Sequence, residues 1–196
     1  MELAWKVALG VGALLVAVHG VATARTGWVL TEEVRHLVGA SPGTTLERPW
    51  AHLTAPFFHD GLFHLSYNLT VLLITLPVAL AAMGPWRGAV LAYLASPVSA
   101  ILVNLLLILP LAAAGWSYAQ VAVDPRLVGA SIMIFAGAGM ALATRPWSAT
   151  TVALVAIAFV GYELVLAVTG TTRPFVGVYH VTGAATGFLA AHVLGP

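Results

Sequence analysis

Four polar side chains in this strongly apolar chain have residue types and spacings that suit acyl-transfer chemistry. Ser131 carries a hydroxyl, which is a weak nucleophile until a base removes its proton. His180 can act as that base, because an imidazole titrates near neutral pH. His64 and Asn68 are four residues apart, so on a helix they share one face and can both donate to an oxyanion. The backbone N–H of Ser131, at a predicted helix start, is a third donor.

The composition decides which class of protein carries these residues. Of the 196 residues, 60% are apolar and 8% are charged, against roughly 25% charged in soluble domains. The mean hydropathy is +0.97. A soluble globule of this size leaves about a third of its unfolded surface in water. The composition therefore excludes a soluble globule, a disordered chain and a coiled coil, and predicts a multi-pass protein of the lipid bilayer, expected in a prokaryotic cell membrane.

The counts of charged residues and cysteines exclude some classes of partner and cofactor. The net charge of +1 gives no sign of a nucleic-acid partner. The absence of cysteine excludes disulfides, thiolate metal sites and a cysteine nucleophile. A zinc site built from His59, His64 and His180 is a rival use of the histidines. No His-Glu-x-x-His motif occurs, and His59 and His64 would lie ~140° apart on one helix, so we expect neither metal nor organic cofactor.

Six apolar stretches have lengths near those needed to cross a ~30 Å hydrocarbon core. They cover residues 3–24, 62–83, 89–114, 129–144, 149–169 and 178–194. Each is expected to be a helix, since an open strand leaves its backbone unsatisfied in lipid. Pro97 and Pro110 predict a kink in the third stretch. The predicted fold is all-α, a single domain over residues 1–196 with six transmembrane helices and a long interfacial loop, residues 25–61, between the first two.

The order of these stretches brings the reactive residues together. The second, fourth and sixth enter the bilayer from the same face, and they begin near His64, Ser131 and His180 respectively. All three side chains are therefore expected in one leaflet. Gly183 and Gly187 share the helix side of His180. Small residues let helices approach closely, as a hydrogen bond between a serine and a histidine on different helices requires.

Two of the polar motifs resemble signatures of the rhomboid family of intramembrane serine proteases. The run from Trp50 to Asn68 contains two histidines five apart, His59 and His64, and an asparagine four residues further on. This pattern resembles the second-span signature of the family. The tripeptide Gly129-Ala130-Ser131 is similar to its Gly-x-Ser nucleophile motif.

A third motif extends the resemblance over nearly the whole chain. His180 followed by Gly183 and Gly187 resembles the last-span motif of the family. No appended soluble domain is therefore expected. One departure concerns the residue after the serine, where the family usually has a second glycine and this chain has Ile132.

The resemblance implies an endopeptidase that cleaves single-span or other membrane proteins near the membrane surface and needs no cofactor. It implies a dyad of Ser131 and His180 without a carboxylate, and an oxyanion site formed by His64, Asn68 and the Ser131 N–H. His59 is interpreted as a structural residue that ties the long loop to the second helix. The remaining histidines are interpreted as interfacial or packing residues: His19, His36, His52 and His192.

Two alternatives remain at this point. The first is a proteolytically inactive member of the same fold that binds membrane helices as a chaperone, which Ile132 would favour. The second is a small transporter or channel that uses the histidines and Glu163, a carboxylate inside the fifth apolar stretch. It predicts solute flux in liposomes and no covalent labelling of serine.

Overall fold

A computed structural model of the chain describes residues 1–124, 126–144, 148 and 175–195. Over these residues the chain is helical, and its only bridge is an isolated antiparallel pair between Ala40 and Leu127. The all-α prediction is therefore confirmed for the described residues, and helices cover five of the six predicted apolar stretches. The fifth stretch, residues 149–169 with Glu163, lies outside the described residues.

The α-helices are defined here in chain order. They are α1 (Glu2–Thr23), α2 (Glu32–Val38), α3 (Ala51–Thr54), α4 (Leu62–Met83), α5 (Pro85–Val103), α6 (Leu109–Ala113), α7 (Ser117–Ala122), α8 (Ser131–Thr144) and α9 (Val176–Leu194). Short 3₁₀ turns cover Pro42–Thr44 and Ala55–Phe57, and a π-helical segment covers Asn104–Ile108. Three helices of the described chain are long and apolar enough to cross a bilayer: α1, α4 and the continuous helix Pro85–Ala113.

The helix that runs from Pro85 to Ala113 starts earlier than predicted and is irregular at a different place. Gly84 has φ +85°, a conformation that glycine adopts without strain, and Pro85 has a φ suited to the first helical position. These two residues turn the chain sharply from α4 into α5. The predicted irregularity at the prolines is found between them, where the Asn104–Ile108 segment is π-helical.

The loop over residues 25–61 folds onto the bundle. Its helix α2 is capped by Thr31, whose hydroxyl accepts a hydrogen bond from the Val34 N–H at 3.3 Å. Leu30 is buried whereas Leu37 is exposed, so only some of the apolar side chains of the loop contact the rest of the protein. The bridge between Ala40 and Leu127, at 3.1 and 2.7 Å, joins the loop to the segment that leads into α8.

A buried polar network joins the long loop to the third predicted stretch and to α9. The Tyr179 hydroxyl donates to the Asn104 side chain, whose Nδ2 donates to Thr45 Oγ1 at 2.8 Å. Thr45 Oγ1 in turn donates to the Ser41 carbonyl at 2.9 Å. Since the Thr45 proton is used there, the 3.2 Å contact with His52 makes His52 Nε2 the donor. His52, interpreted from the sequence as an interfacial or packing residue, is therefore a buried member of this network.

The backbones of α8 and α9 touch. A methyl group added at Gly187 would overlap the carbonyl oxygen of Ala136, and one added at Gly139 would overlap the carbonyl oxygen of Ala184. The prediction that the fourth and sixth stretches pack closely is confirmed. The contact on α8 uses Ala136 and Gly139. Small residues on both helices allow the backbones of α8 and α9 to come this close.

This contact predicts a large loss of stability from one methyl group. Gly187→Ala should lower the melting temperature in detergent by roughly 5 °C or more, because overpacking costs about 1–3 kcal/mol and backbone atoms cannot rotate away. Gly10→Ala is the matched control, since nothing lies within 4 Å of a methyl group there and alanine is the better helix former. Equal melting temperatures for the two variants would contradict the close packing of α8 and α9.

Burial of His52 predicts a pH dependence of stability. Burial lowers the pKa of His52 to about 4 from 6.5. Between these values the unfolded chain binds a proton that the folded chain does not, so stability falls as the pH falls from about 6.5 to about 4. His52→Gln keeps a donor for Thr45 but does not titrate, so its melting temperature should fall less between pH 7.5 and pH 5. The exposed His36→Gln control should behave like wild type, and identical slopes for all three proteins would refute the assignment.

Candidate active site

Ser131 and His180 are hydrogen-bonded to each other across the α8–α9 contact. Ser131 is the first residue of α8, so its backbone N–H has no acceptor within the helix. His180 lies in the second turn of α9 and is buried. The distance from His180 Nε2 to Ser131 Oγ is 2.9 Å. A hydroxyl in this arrangement can donate its proton to the imidazole as it attacks an electrophile.

The imidazole of His180 is also held by an aromatic ring. Phe135 lies one helical turn after Ser131, and its ring stacks on His180 with centroids 4.4 Å apart and planes 29° apart. This stacking restricts the plane in which the imidazole can rotate. The sequence analysis gave Phe135 no role, although its spacing of four residues from Ser131 is the signal that could have found it.

His64 and Asn68 lie beside the backbone of Gly129. A methyl group added at Gly129 would lie 2.8 Å from His64 Nε2 and 3.4 Å from Asn68 Nδ2. Gly129 also has φ +124°, which a residue with a side chain rarely adopts. Its N–H donates to the Ala55 carbonyl at 3.0 Å, which fixes this segment against the long loop. Glycine is therefore required here for both space and conformation.

His64 Nε2 and Asn68 Nδ2 both lie on the side that faces Gly129. The Asp60 N–H donates to His64 Nδ1 at 3.3 Å, so in the neutral ring the proton is on Nε2. Asp60 also forms an ion pair with Arg35. Asn68 is 1% exposed, and its Nδ2 has no hydrogen-bond partner within the part of the chain that the structure describes. A buried amide without a partner is rare in proteins, and this one is available to bind an oxyanion.

These groups line one cavity of about 390 Å³. Its walls include the candidate nucleophile and base, both candidate oxyanion side chains and several apolar residues. They are supplied by the long loop, by α4 and α5, by the segment before α8, and by α8 and α9. Residues of the wall include Ser131, His180, His64, Asn68, Gly129, Ala55, Phe63, Tyr67, Ile132 and Val176. A cavity of this size accommodates a short peptide segment rather than a folded domain.

The isoleucine after Ser131 fills space between helices. A methyl group added at Gly183 would lie 2.9 Å from Ile132 Cγ2 and 2.8 Å from its carbonyl oxygen. Ile132 packs against the buried apolar cluster that contains Tyr179 and Ile108. Gly183 therefore provides the room that Ile132 needs. The hydrogen bond between Ser131 and His180 forms beside this larger residue.

His59 lies before α4, with its ring between two other histidines. Its centroid is 5.1 Å from that of His64 and 5.7 Å from that of His19. Burial, followed by the neighbouring His64 and His19, lowers the pKa of His59 to about 3, so its ring is neutral. The ~140° separation of His59 and His64 argued from the sequence is wrong, because His59 precedes the helix. No group of three or more metal-ligating side chains suited to hold an ion occurs among the described residues.

The sequence analysis also underestimated His19. This side chain is buried in α1, where it accepts a hydrogen bond from the His59 N–H at 3.2 Å and contacts the Trp28 carbonyl at 3.2 Å. The signal was a polar side chain within an apolar span, which indicates a specific partner. His192, by contrast, is exposed and stacks on Phe188.

Comparisons with known proteins bear on the chain as a whole. A family model described as the Rhomboid domain matches residues 46–196. No match was found among curated proteins or among solved structures. The matched range contains the candidate nucleophile, the candidate base and both candidate oxyanion side chains, and it includes two of the three helices that are long and apolar enough to cross a bilayer. The chain is therefore an integral membrane protein that belongs to the rhomboid family.

Proposed function

We propose that the protein is a six-span intramembrane serine endopeptidase that cleaves transmembrane helices of other membrane proteins near the membrane surface. The observation that carries the proposal is the 2.9 Å hydrogen bond between Ser131 Oγ and His180 Nε2. It joins two different helices inside a cavity whose walls also carry hydrogen-bond donors. Membership of the rhomboid family supports the same reaction class.

In the first step, Ser131 Oγ attacks the carbonyl carbon of the scissile peptide bond. His180 Nε2 takes the hydroxyl proton and returns it to the leaving nitrogen as the C–N bond breaks. The product is an acyl-enzyme and a free amine. A water molecule, deprotonated by His180, then attacks the ester carbon, which releases the second product and restores the Ser131 hydroxyl. Phe135 keeps the imidazole in the plane that serves both steps.

The tetrahedral intermediate of each step needs donors for its oxyanion. We assign this role to the Nε2–H of His64, the Nδ2 of Asn68 and the backbone N–H of Ser131. The Nδ2 atom of Asn68 is buried without a partner in the described chain, and the Nε2 proton of His64 follows from its bond to the Asp60 N–H. Donors fixed in place before the reaction stabilise an oxyanion without reorganisation.

The cavity also constrains the substrate. A peptide bond inside a helix is shielded by its own turns, so a transmembrane helix must unwind locally before Ser131 reaches it. Glycine and proline near the cleavage point lower the cost of unwinding. Substrates with such residues close to the membrane surface are expected to be cleaved fastest.

The two alternatives gain no support from the described residues. Ile132, which favoured an inactive helix-binding protein, packs against Gly183 and leaves the hydrogen bond between Ser131 and His180 formed. The transporter alternative depends on Glu163, which lies outside the described residues. Covalent labelling of Ser131 by a fluorophosphonate separates the protease from both alternatives.

The dyad predicts complete loss of cleavage from either single substitution. Ser131→Ala and His180→Ala should each abolish cleavage of a transmembrane substrate and labelling by the fluorophosphonate, because the two residues act as one unit. The double variant should be little worse than either single variant. Melting temperatures should show that all three proteins still fold in detergent. Substantial cleavage by the Ser131→Ala protein would refute the mechanism.

The oxyanion role of Asn68 predicts a loss of turnover without a matching loss of stability. Asn68→Ala should lower kcat about 100- to 1,000-fold, while its melting temperature changes little and Ser131 still reacts with small inhibitors. Ser99→Ala is the matched control, since Ser99 is buried and its hydroxyl is shared between the Ala95 carbonyl at 2.6 Å and Thr186 Oγ1 of α9 at 3.0 Å.

The control should lose stability and keep its turnover per folded molecule, as a bond between membrane helices is worth about 0.6 kcal/mol on average. Asn68→Ala should also keep more activity than Ser131→Ala, because two donors remain. A much lower melting temperature with near-normal turnover for Asn68→Ala would make Asn68 a packing residue instead.

A further inference from the structure

We propose that His19 of α1 is a positioning residue that holds the oxyanion donor His64 in place through the backbone of His59 and Asp60. The proposal rests on the oxyanion role given to His64 above. It makes α1, which contributes no residue to the wall of the cavity, part of the apparatus that orients the site.

Both ring nitrogens of His19 have partners. Nδ1 accepts from the His59 N–H at 3.2 Å, and Nε2 lies 3.2 Å from the Trp28 carbonyl oxygen. A carbonyl only accepts and an N–H only donates, so the ring must be neutral with its proton on Nε2. The side chain is 0% exposed, and therefore water does not compete for either bond.

The next residue transmits this constraint to the site. The Asp60 N–H donates to His64 Nδ1 at 3.3 Å, so two consecutive N–H groups are each held by an imidazole. These N–H groups belong to the two peptide units that flank the His59 Cα, so a shift of the His59 backbone would weaken both bonds together. The ring of His59, packed between those of His19 and His64, transmits any such shift as a steric contact.

The backbone of Trp28 is strained, which indicates that its contact with His19 is specific. Trp28 has φ +70°, a conformation that residues with side chains adopt rarely and at an energetic cost. Its indole lies against α1, where a methyl group added at Gly20 would be 3.3 Å from the ring. The bond from His19 Nε2 to the Trp28 carbonyl helps to keep this conformation. His19 therefore joins two loop segments at one point of α1.

Two substitutions separate the two bonds. The amide oxygen of His19→Asn lies close to the position of Nδ1 and can accept from the His59 N–H. The longer amide of His19→Gln reaches the position of Nε2 and the Trp28 carbonyl, and it leaves the His59 N–H without an acceptor. Both variants remove the ring, so a role limited to packing would affect them equally.

The experiment measures kcat and KM on one transmembrane substrate, with active sites counted by fluorophosphonate labelling. His19→Gln should lose about 10- to 100-fold in kcat per labelled site with KM within about twofold, because a shift of ~1 Å in a catalytic group costs about 100-fold. His19→Asn should stay within about fivefold of wild type. The exposed His192→Asn should match wild type. Should His19→Gln fail to fold, His19→Ser, which is too short to reach His59, replaces it with the same expectation.

A second measurement works in the absence of activity. Nitrogen-15 NMR of the imidazoles should show His64 protonated on Nε2 in wild type and in His19→Asn, and mixed tautomers in His19→Gln. An unchanged His64 tautomer in His19→Gln, or equal losses of kcat in the Asn and Gln variants, would overturn the positioning role. Absence of both cleavage and Ser131 labelling in wild type would instead refute the proposed function, and the NMR result would still decide the role of His19.

Discussion

The contact between the backbones of α8 and α9 is the constraint on which the site depends. Ser131 and His180 are on different helices, and a 2.9 Å hydrogen bond between their short side chains requires those helices to touch. Gly187 and Gly139 allow this contact because they have no side chain. A carbonyl oxygen of the opposite helix lies where the Cβ atom of any other residue would be. In lipid the hydrophobic effect does not draw helices together, so close van der Waals packing is the main source of their association. The same contact thus contributes to stability and places the proposed nucleophile beside the proposed base.

Around this contact, several buried polar groups are hydrogen-bonded to one another. Tyr179, next to the proposed base, donates to Asn104, which donates to Thr45 in the long loop. On the other side, the His59 N–H donates to His19 and the Asp60 N–H donates to His64. A buried polar group without a partner is costly in a low-dielectric environment, so each bond resists displacement. The long loop is therefore part of the scaffold of the site and not only a connection between two spans.

The features predictable from sequence were those that depend on counting and periodicity. Helix α4 begins and ends at the predicted residues, 62 and 83, because a bilayer fixes the length of an apolar helix. The meeting of Ser131 with His180 followed from the order of the stretches and from the glycines of α9. The hydrogen bond from the His59 N–H to His19 was missed because it joins residues 40 positions apart through a backbone N–H. A bond of this kind has no signature in side-chain spacing. The ~140° angle between His59 and His64 was wrong because it treated His59 as part of the helix, although the predicted start at residue 62 already placed His59 before α4.

The π-helical segment Asn104–Ile108 has an evolutionary consequence. A π-helical turn closes its hydrogen bond over one more residue than an α-helical turn, i→i+5 in place of i→i+4. Deleting one residue there would restore regular α-helix and rotate everything beyond it by ~100°. After such a deletion, the side chain of Asn104 could face Tyr179 only if α6 and the segment that leads into α8 rotated away from their present positions. The length of this helix is therefore as constrained as its sequence, and related chains that keep the bond between Asn104 and Tyr179 should tolerate substitutions here far better than insertions or deletions.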